Sequence, residues 1–231
     1  MDQQTVVITG GTRGIGYAVA DAFATNGAQV VICGREQPRV ATAVDELNDG
    51  HERVSGRAVD VRDESALSEL FEHAAERGGS VDIVVANAAI NHGTPGEMPL
   101  AEESFEQFDE TMATNVRGVF GTITQAVPQL AVDARILIPS GSVARKAKPG
   151  MGVYAVSKAA AEALARGFSV DLEQPVCVVD PGLVATDLTG IEKARDAADI
   201  APMYLWVATE AEPEAIDGEI IDLRKWKQST R

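Results

Sequence analysis

The chain has 231 residues, 45% hydrophobic and 24% charged, long enough to bury a full core and unlike a disordered, collagen-like or disulfide-stapled sequence. Thirty-five acids against 20 bases (14 Arg, 6 Lys) give a formal charge of −15; the only local basic excess is the tail Arg224-Lys225-Trp226-Lys227 with Arg231, read as a solvated terminus, so nucleic acid is excluded as a partner. No apolar run approaches ~18 residues and Met1-Asp2-Gln3-Gln4 lacks a basic signal region, so no membrane contact and a cytoplasmic location are expected, while the acidic, Lys-poor composition fits a halophilic source.

Apolar runs alternate with amphipathic stretches from end to end, the pattern of repeated β-α units around a parallel sheet. Strands are predicted at 5–9, 29–33, 54–59, 82–86, 135–139, 176–179 and 219–222. The first helix starts near Gly14 and stops at Asn26-Gly27, and the second covers 38–48. A third opens on Asp63 as N-cap and stops at Gly78-Gly79. Longer helices are predicted at 102–130, with Pro128 in the last turn, and at 152–173; residues 186–200 read as irregular. Cys33 and Cys177 each fall inside a strand-like run, which predicts buried thiols and a reducing compartment. With no repeat or linker, residues 1–231 form one domain.

Thr9-Gly10-Gly11-Thr12-Arg13-Gly14-Ile15-Gly16 follows the first strand and opens the first helix. Glycines there let the chain turn tightly and approach a pyrophosphate, and the free N–H groups of the helix start favour its charge. The second strand ends at Gly34-Arg35, where an NAD site would usually offer a carboxylate to the ribose 2′-hydroxyl. Arg35, with Arg13 projecting toward the same corner, instead suits a 2′-phosphate and favours NADP(H) over NAD(H).

Tyr154 and Lys158 stand four positions apart, on one helical face. A phenol is a poor proton donor or base near neutrality unless a cation stabilises its phenolate, and Lys158 can supply that charge. Ser140-Gly141-Ser142, at the end of the preceding strand, offers two hydroxyls for a substrate oxygen. His51, His73 and His92 have no Cys or acidic partner at ligand spacing, so no metal site is expected.

Taken together, these residues resemble the short-chain dehydrogenase/reductase family over nearly the whole chain. The motifs are Thr9 to Gly16, Asp60-Val61, Asn87-Ala88-Ala89, Asn115, Tyr154-x-x-x-Lys158, and Pro181-Gly182-Leu183-Val184-Ala185-Thr186. The resemblance implies a doubly wound, seven-stranded parallel sheet of Rossmann type. It also implies that Asp60 and Val61 contact the adenine, Asn87 lies along the cofactor, and Asn115 holds a water in a proton relay through Lys158. Lys158 would bind the nicotinamide ribose, with Pro181, Gly182, Val184 and Thr186 near the carboxamide end. The implied reaction is hydride transfer between NADP(H) and a small-molecule carbonyl or alcohol, with Tyr154 as acid or base and a serine hydroxyl orienting the oxygen. A 3-oxoacyl-thioester reductase and a non-catalytic NADP-binding sensor are the alternatives.

The sequence also departs from the family pattern. The serine most often lies 13 residues before the tyrosine, where this chain has Gly141; Ser142 is the better match, and Ser140 would need an insertion. Asp180 precedes Pro181-Gly182, where a smaller or neutral residue is expected. The span after Gly182 is short, which suggests a reduced substrate lid near 183–200. By the same resemblance the two long helices would pair between subunits, giving a homodimer or homotetramer.

Overall fold

In the computed structural model, β1 (Thr5–Thr9) is a run of β-branched residues, every one buried, as a strand covered on both faces requires. It pairs in parallel with β2 (Gln29–Gly34) on one side and β4 (Val81–Val85) on the other. With β3 (Val54–Ala58), β5 (Leu130–Pro139), β6 (Val176–Asp180) and β7 (Ile220–Asp222), the seven strands run in the order β3-β2-β1-β4-β5-β6-β7. The winding reverses between β1 and β4, so the loops leaving their carboxyl ends diverge and open a crevice. All residues are described except Asp2, Glu192 and Arg231; Glu192 belongs to the expected lid and Arg231 to the basic tail, and both lie outside the described residues.

Helices cover both faces. On one, Phe23 of α1 (Gly14–Thr25) packs with Tyr204 and Val207 of α7 (Ala197–Thr209). On the other, Phe71 of α3 (Glu64–Gly78) packs with Ile123 of α5 (Gly118–Ala126) and Ala161 of α6 (Gly152–Asp171). Asp63 caps α3 through the N–H groups of Ser65 and Ala66. Cys33 and Cys177 are free and buried, in β2 and β6.

The long helix expected at 102–130 is several elements. Ser104 and Gln107 form a capping box that starts α4 (Phe105–Met112) only at Phe105. A π turn, Ala113–Arg117, follows, in which the Gly118 N–H reaches back to the Ala113 carbonyl. After α5 a 3-10 turn carrying Pro128 ends the helix, and Leu130 already belongs to β5, which is longer than predicted. α7 begins inside the zone expected to be irregular; it is apolar on most sides, so it shows no amphipathic stripe. The basic tail is solvated, as expected, but ordered: it forms a short helix, Leu223–Ser229, capped by Asp222 at the Lys225 N–H, with Arg224 and Lys227 exposed on it.

Candidate active site

The crevice is built from backbone. The Thr9 hydroxyl accepts hydrogen bonds from the Asn87 and Ala88 N–H groups, both at 3.1 Å. The Asn87 amide donates to the Thr9 and Gly10 carbonyls at 3.0 Å. These bonds stitch the turn after β1 to the segment after β4. Gly10 has φ +67°, and a Cβ there would lie 2.9 Å from the Ala88 Cα; one on Gly16 would lie 2.3 Å from the Gly10 carbonyl oxygen. Gly11 donates to the Cys33 carbonyl at 3.0 Å. Arg13, the N-cap of α1, makes no side-chain cap, so the first N–H groups of the helix, from Gly14, Ile15 and Gly16, stay open. Thr9, Gly11 and Gly16 thus shape the crevice, while Gly10, Thr12, Gly14 and Ile15 line it.

At the far end of the crevice, Gly34 sits so close to Thr12 that a Cβ would meet its methyl at 2.8 Å. Arg35 lines this wall just before α2 (Gln37–Leu47), and so does Arg39 in the first turn of that helix, its guanidinium paired with Glu36 at 3.1 Å. Nothing in the local sequence singles out Arg39. Arg13 does not turn toward Arg35 as expected: it pairs with Asp187 at 2.9 Å, across the crevice on the segment after β6. Asp60 and Val61 line the wall together with Ala88 and Ala89, but the Asp60 carboxylate is taken by Arg62 at 2.5 Å. Hydrogen bonds from the Arg62 side chain hold it below the usual carboxylate range.

The reacting-end residues converge on α6. Lys158 donates to the Pro139 carbonyl at 3.0 Å, and its Nζ lies 5.7 Å from the Tyr154 ring centroid. Burial pushes the Tyr154 phenol up to about 12. It pulls Lys158 down to about 8, opposed by the charge of Glu162. Burial, rather than the cation of Lys158, therefore sets the proton affinity of the phenol.

Asn115, in the π turn, accepts from the Ile90 N–H at 2.8 Å and donates to the Ile90 carbonyl and to Ser157 Oγ at 2.9 and 3.0 Å. Because Ile90 and Thr114 line the crevice, this one side chain joins the crevice wall to the helix of Tyr154 and Lys158. Of the two serines, Ser140 is committed to buried Glu162 at 2.7 Å, whereas among the described residues Ser142 Oγ meets only the Lys148 Nζ, at 3.4 Å.

Thr186 lines the crevice beside Gly14, its methyl 3.2 Å from where a Cβ on that glycine would stand. Pro181, Gly182 and Val184 do not line it; Val184 is buried and bridges to Arg195, holding the segment that presents Thr186. His92, which has no acidic partner at ligand spacing along the chain, lies 3.4 Å from Glu110 of α4.

The chain matches the family model for short chain dehydrogenases over residues 4–197. It is 35% identical over 190 residues to an oxidoreductase, asL5, of Sarocladium schorii, covering 80% of this chain and 74% of the relative. It is 32% identical to NADPH-dependent aldehyde reductase 2, chloroplastic, of Arabidopsis thaliana, in a match covering 94% of this chain and 91% of the relative. Among solved structures, a short chain dehydrogenase from Burkholderia cenocepacia in complex with NADP superposes with a TM-score of 0.84 at 28% identity over 96% of each chain. A dehydrogenase/reductase from Sinorhizobium meliloti gives 0.83 at 30% identity over 96% of this chain and 94% of that one.

Proposed function

Because the chain belongs to the short chain dehydrogenase family, we propose that it uses NADP(H) to interconvert a small-molecule carbonyl and its alcohol, with Tyr154 carrying the proton. The observation that carries this reading is the hydrogen-bonded link from the glycine-shaped crevice through Asn115 to the face of α6 that holds Tyr154 and Lys158.

The crevice fits a dinucleotide: Gly10 allows close backbone approach, and the uncapped start of α1 offers N–H groups to a pyrophosphate. Arg35, with no ion-pair partner among the described residues, supports a 2′-phosphate at this wall, with Arg39 beside it; Arg13 joins them only by exchanging Asp187 for the phosphate. NADP(H), when bound, supplies or accepts a hydride at the substrate carbon. Tyr154 performs the proton step. Burial keeps its phenol protonated at neutral pH, so it is poised to donate to an oxygen that gains charge during reduction. Lys158, largely charged at pH 7 and on the same helical face, stabilises the phenolate that remains. Ser142, whose hydroxyl is not taken by a buried group, orients the substrate oxygen. Asn115 holds the Ile90 backbone, and with it the wall beside the reacting centre.

Exposed Phe105, Phe120 and Val170 on α4, α5 and α6 support pairing between subunits through these helices. The buried free thiols support a reducing compartment, and among the described residues no helix is long and apolar enough to cross a membrane. The lid remains the segment near 183–200, whose last residues open α7, and Asp187 within it pairs with Arg13 at the crevice rim.

The test is oxidation of NADPH and NADH against ketones, aldehydes, quinones and 3-oxoacyl thioesters, in dilute buffer and in multimolar KCl. NADPH-dependent turnover of at least one carbonyl class is expected. NADPH binding with no turnover of any class would replace the reductase with a sensor.

A further inference from the structure

Asp180, out of pattern in the sequence, has a partner that is equally hard to foresee. Arg145 leaves the 3-10 turn Ser142–Ala144 and places its guanidinium between two carboxylates, donating to Glu162 through one Nη and to Asp180 through the other. Both carboxylates are buried, Glu162 to 3% and Asp180 to 5% exposure, and the bridge gives each of them a cation partner inside the fold. Glu162 also accepts from Ser140 Oγ at 2.7 Å, and it stands one helical turn beyond Lys158 on α6. The other oxygen of Asp180 accepts from the Gly182 N–H at 3.0 Å. Lys158 itself donates to the carbonyl of Pro139, immediately before Ser140. The short segment 140–145 is therefore fastened to Glu162 at both ends, with Ser142 between the fastenings.

We propose that Arg145 is a positioning residue: bridging Glu162 and Asp180, it fixes the loop of Ser142 against the helix of Tyr154 and Lys158 and against the end of β6. The proposal rests on the carbonyl-reductase reading above. It accounts for the carboxylate at 180, which completes the bridge and turns the chain at Gly182. A lysine at 145 keeps the charge but has no planar fork with which to hold two separate carboxylates.

The experiment compares wild type, R145K, R145M and Y154F for kcat, for the KM of the best carbonyl, for NADPH Kd by nicotinamide fluorescence, and for melting temperature. R145K is expected to keep the wild-type NADPH Kd within about twofold and to lose roughly 10- to 100-fold in kcat, the scale of a reacting group displaced by about 1 Å. R145M is expected to lose as much kcat and to melt lower, because two buried carboxylates lose the cation they share. Wild-type kcat in R145K overturns the proposal and leaves the carbonyl-reductase reading standing. So does a loss of NADPH affinity in proportion to kcat, which would mark a general structural role. Absence of wild-type turnover on every carbonyl overturns both.

Discussion

The two ends of the site are built on opposite principles. The crevice at the β1 and β4 ends is shaped by backbone: glycines that admit no Cβ, a threonine hydroxyl and an asparagine amide that tie two turns together, and an uncapped helix start. Its charges are solvated, and the Arg13 and Asp187 side chains are 58% and 74% exposed. At the β5 and β6 ends the charges are inside. Lys158, Glu162 and Asp180 are all buried and held by hydrogen bonds. A binding surface needs shape and exchangeable ion pairs, whereas a proton-transfer centre needs groups whose protonation is set by a dry surrounding. Substitutions at the first end should therefore alter affinity, and those at the second should alter rate and stability.

The largest effect is expected at the second end. Y154F is predicted to cut turnover by roughly 10²–10⁴, the usual worth of a positioned general acid, and to leave NADPH affinity unchanged, as fluorescence titration will show. K158M should likewise abolish turnover, but with a gain in stability. The folded Lys158 has its pKa lowered from 10.5 to about 8, so the native state binds fewer protons than the unfolded chain between those values. Holding it charged thus destabilises the protein fully below about pH 8, and this cost fades as the pH rises toward 10.5. K158M is expected to gain roughly 1–3 kcal/mol in urea unfolding at pH 7 and nothing near pH 10.5. A variant less stable than wild type at pH 7 would mean that the bond to the Pro139 carbonyl outweighs the burial cost.

At the crevice, the sharpest probe is Gly16. A Cβ 2.3 Å from the Gly10 carbonyl oxygen forces the turn to move, so G16A should weaken NADPH at least about 10-fold in fluorescence titration, with kcat at saturating cofactor changed far less. If kcat falls and affinity holds, the division between the two ends fails. A smaller effect is expected from R13S/R35S, which removes two cations from the exposed rim. The ratio of kcat/KM for NADPH to that for NADH should drop by roughly 3- to 10-fold, each lost charge-assisted bond at this exposed rim keeping about 0.2–1 kcal/mol after solvent screening. An unchanged ratio would leave Arg39 as the cation that meets the 2′-phosphate.

The crevice was the more legible end for the same physical reason. Close backbone approach demands glycine at fixed positions, and the turn from 9 to 16 between a strand and a helix shows this directly in the sequence. So do β-branched runs for strands covered on both faces, and every strand was placed, although β5 starts earlier than its most hydrophobic part. Side-chain pairing across the fold leaves no local trace. Nothing near Arg13 in sequence points to Asp187, and Arg145, Glu162 and Asp180 come from three elements. Asp180 was visible only as an oddity. α7 escaped because a helix buried on most sides has no stripe to read, and the π turn escaped because its extra residue leaves the apolar spacing of α4 and α5 nearly intact.

Position 141 offers the smallest effect and a fine test of register at the reacting end. The serine of this family most often stands where Gly141 stands, so G141S places a hydroxyl at that spacing while leaving Ser142 in place. Gly141 has φ −163°, a conformation open to any residue, and no atom lies within 4 Å of the position its Cβ would take. Stability should therefore change by less than about 0.5 kcal/mol. If Ser142 orients the substrate oxygen, the added hydroxyl has nothing to do, and kcat should stay within about twofold of wild type in G141S while S142A loses most of it. A rise in kcat in G141S, with S142A indifferent, would show that the loop keeps the usual spacing in space, and that the serine at 142 is the wall of the site rather than its hand on the oxygen.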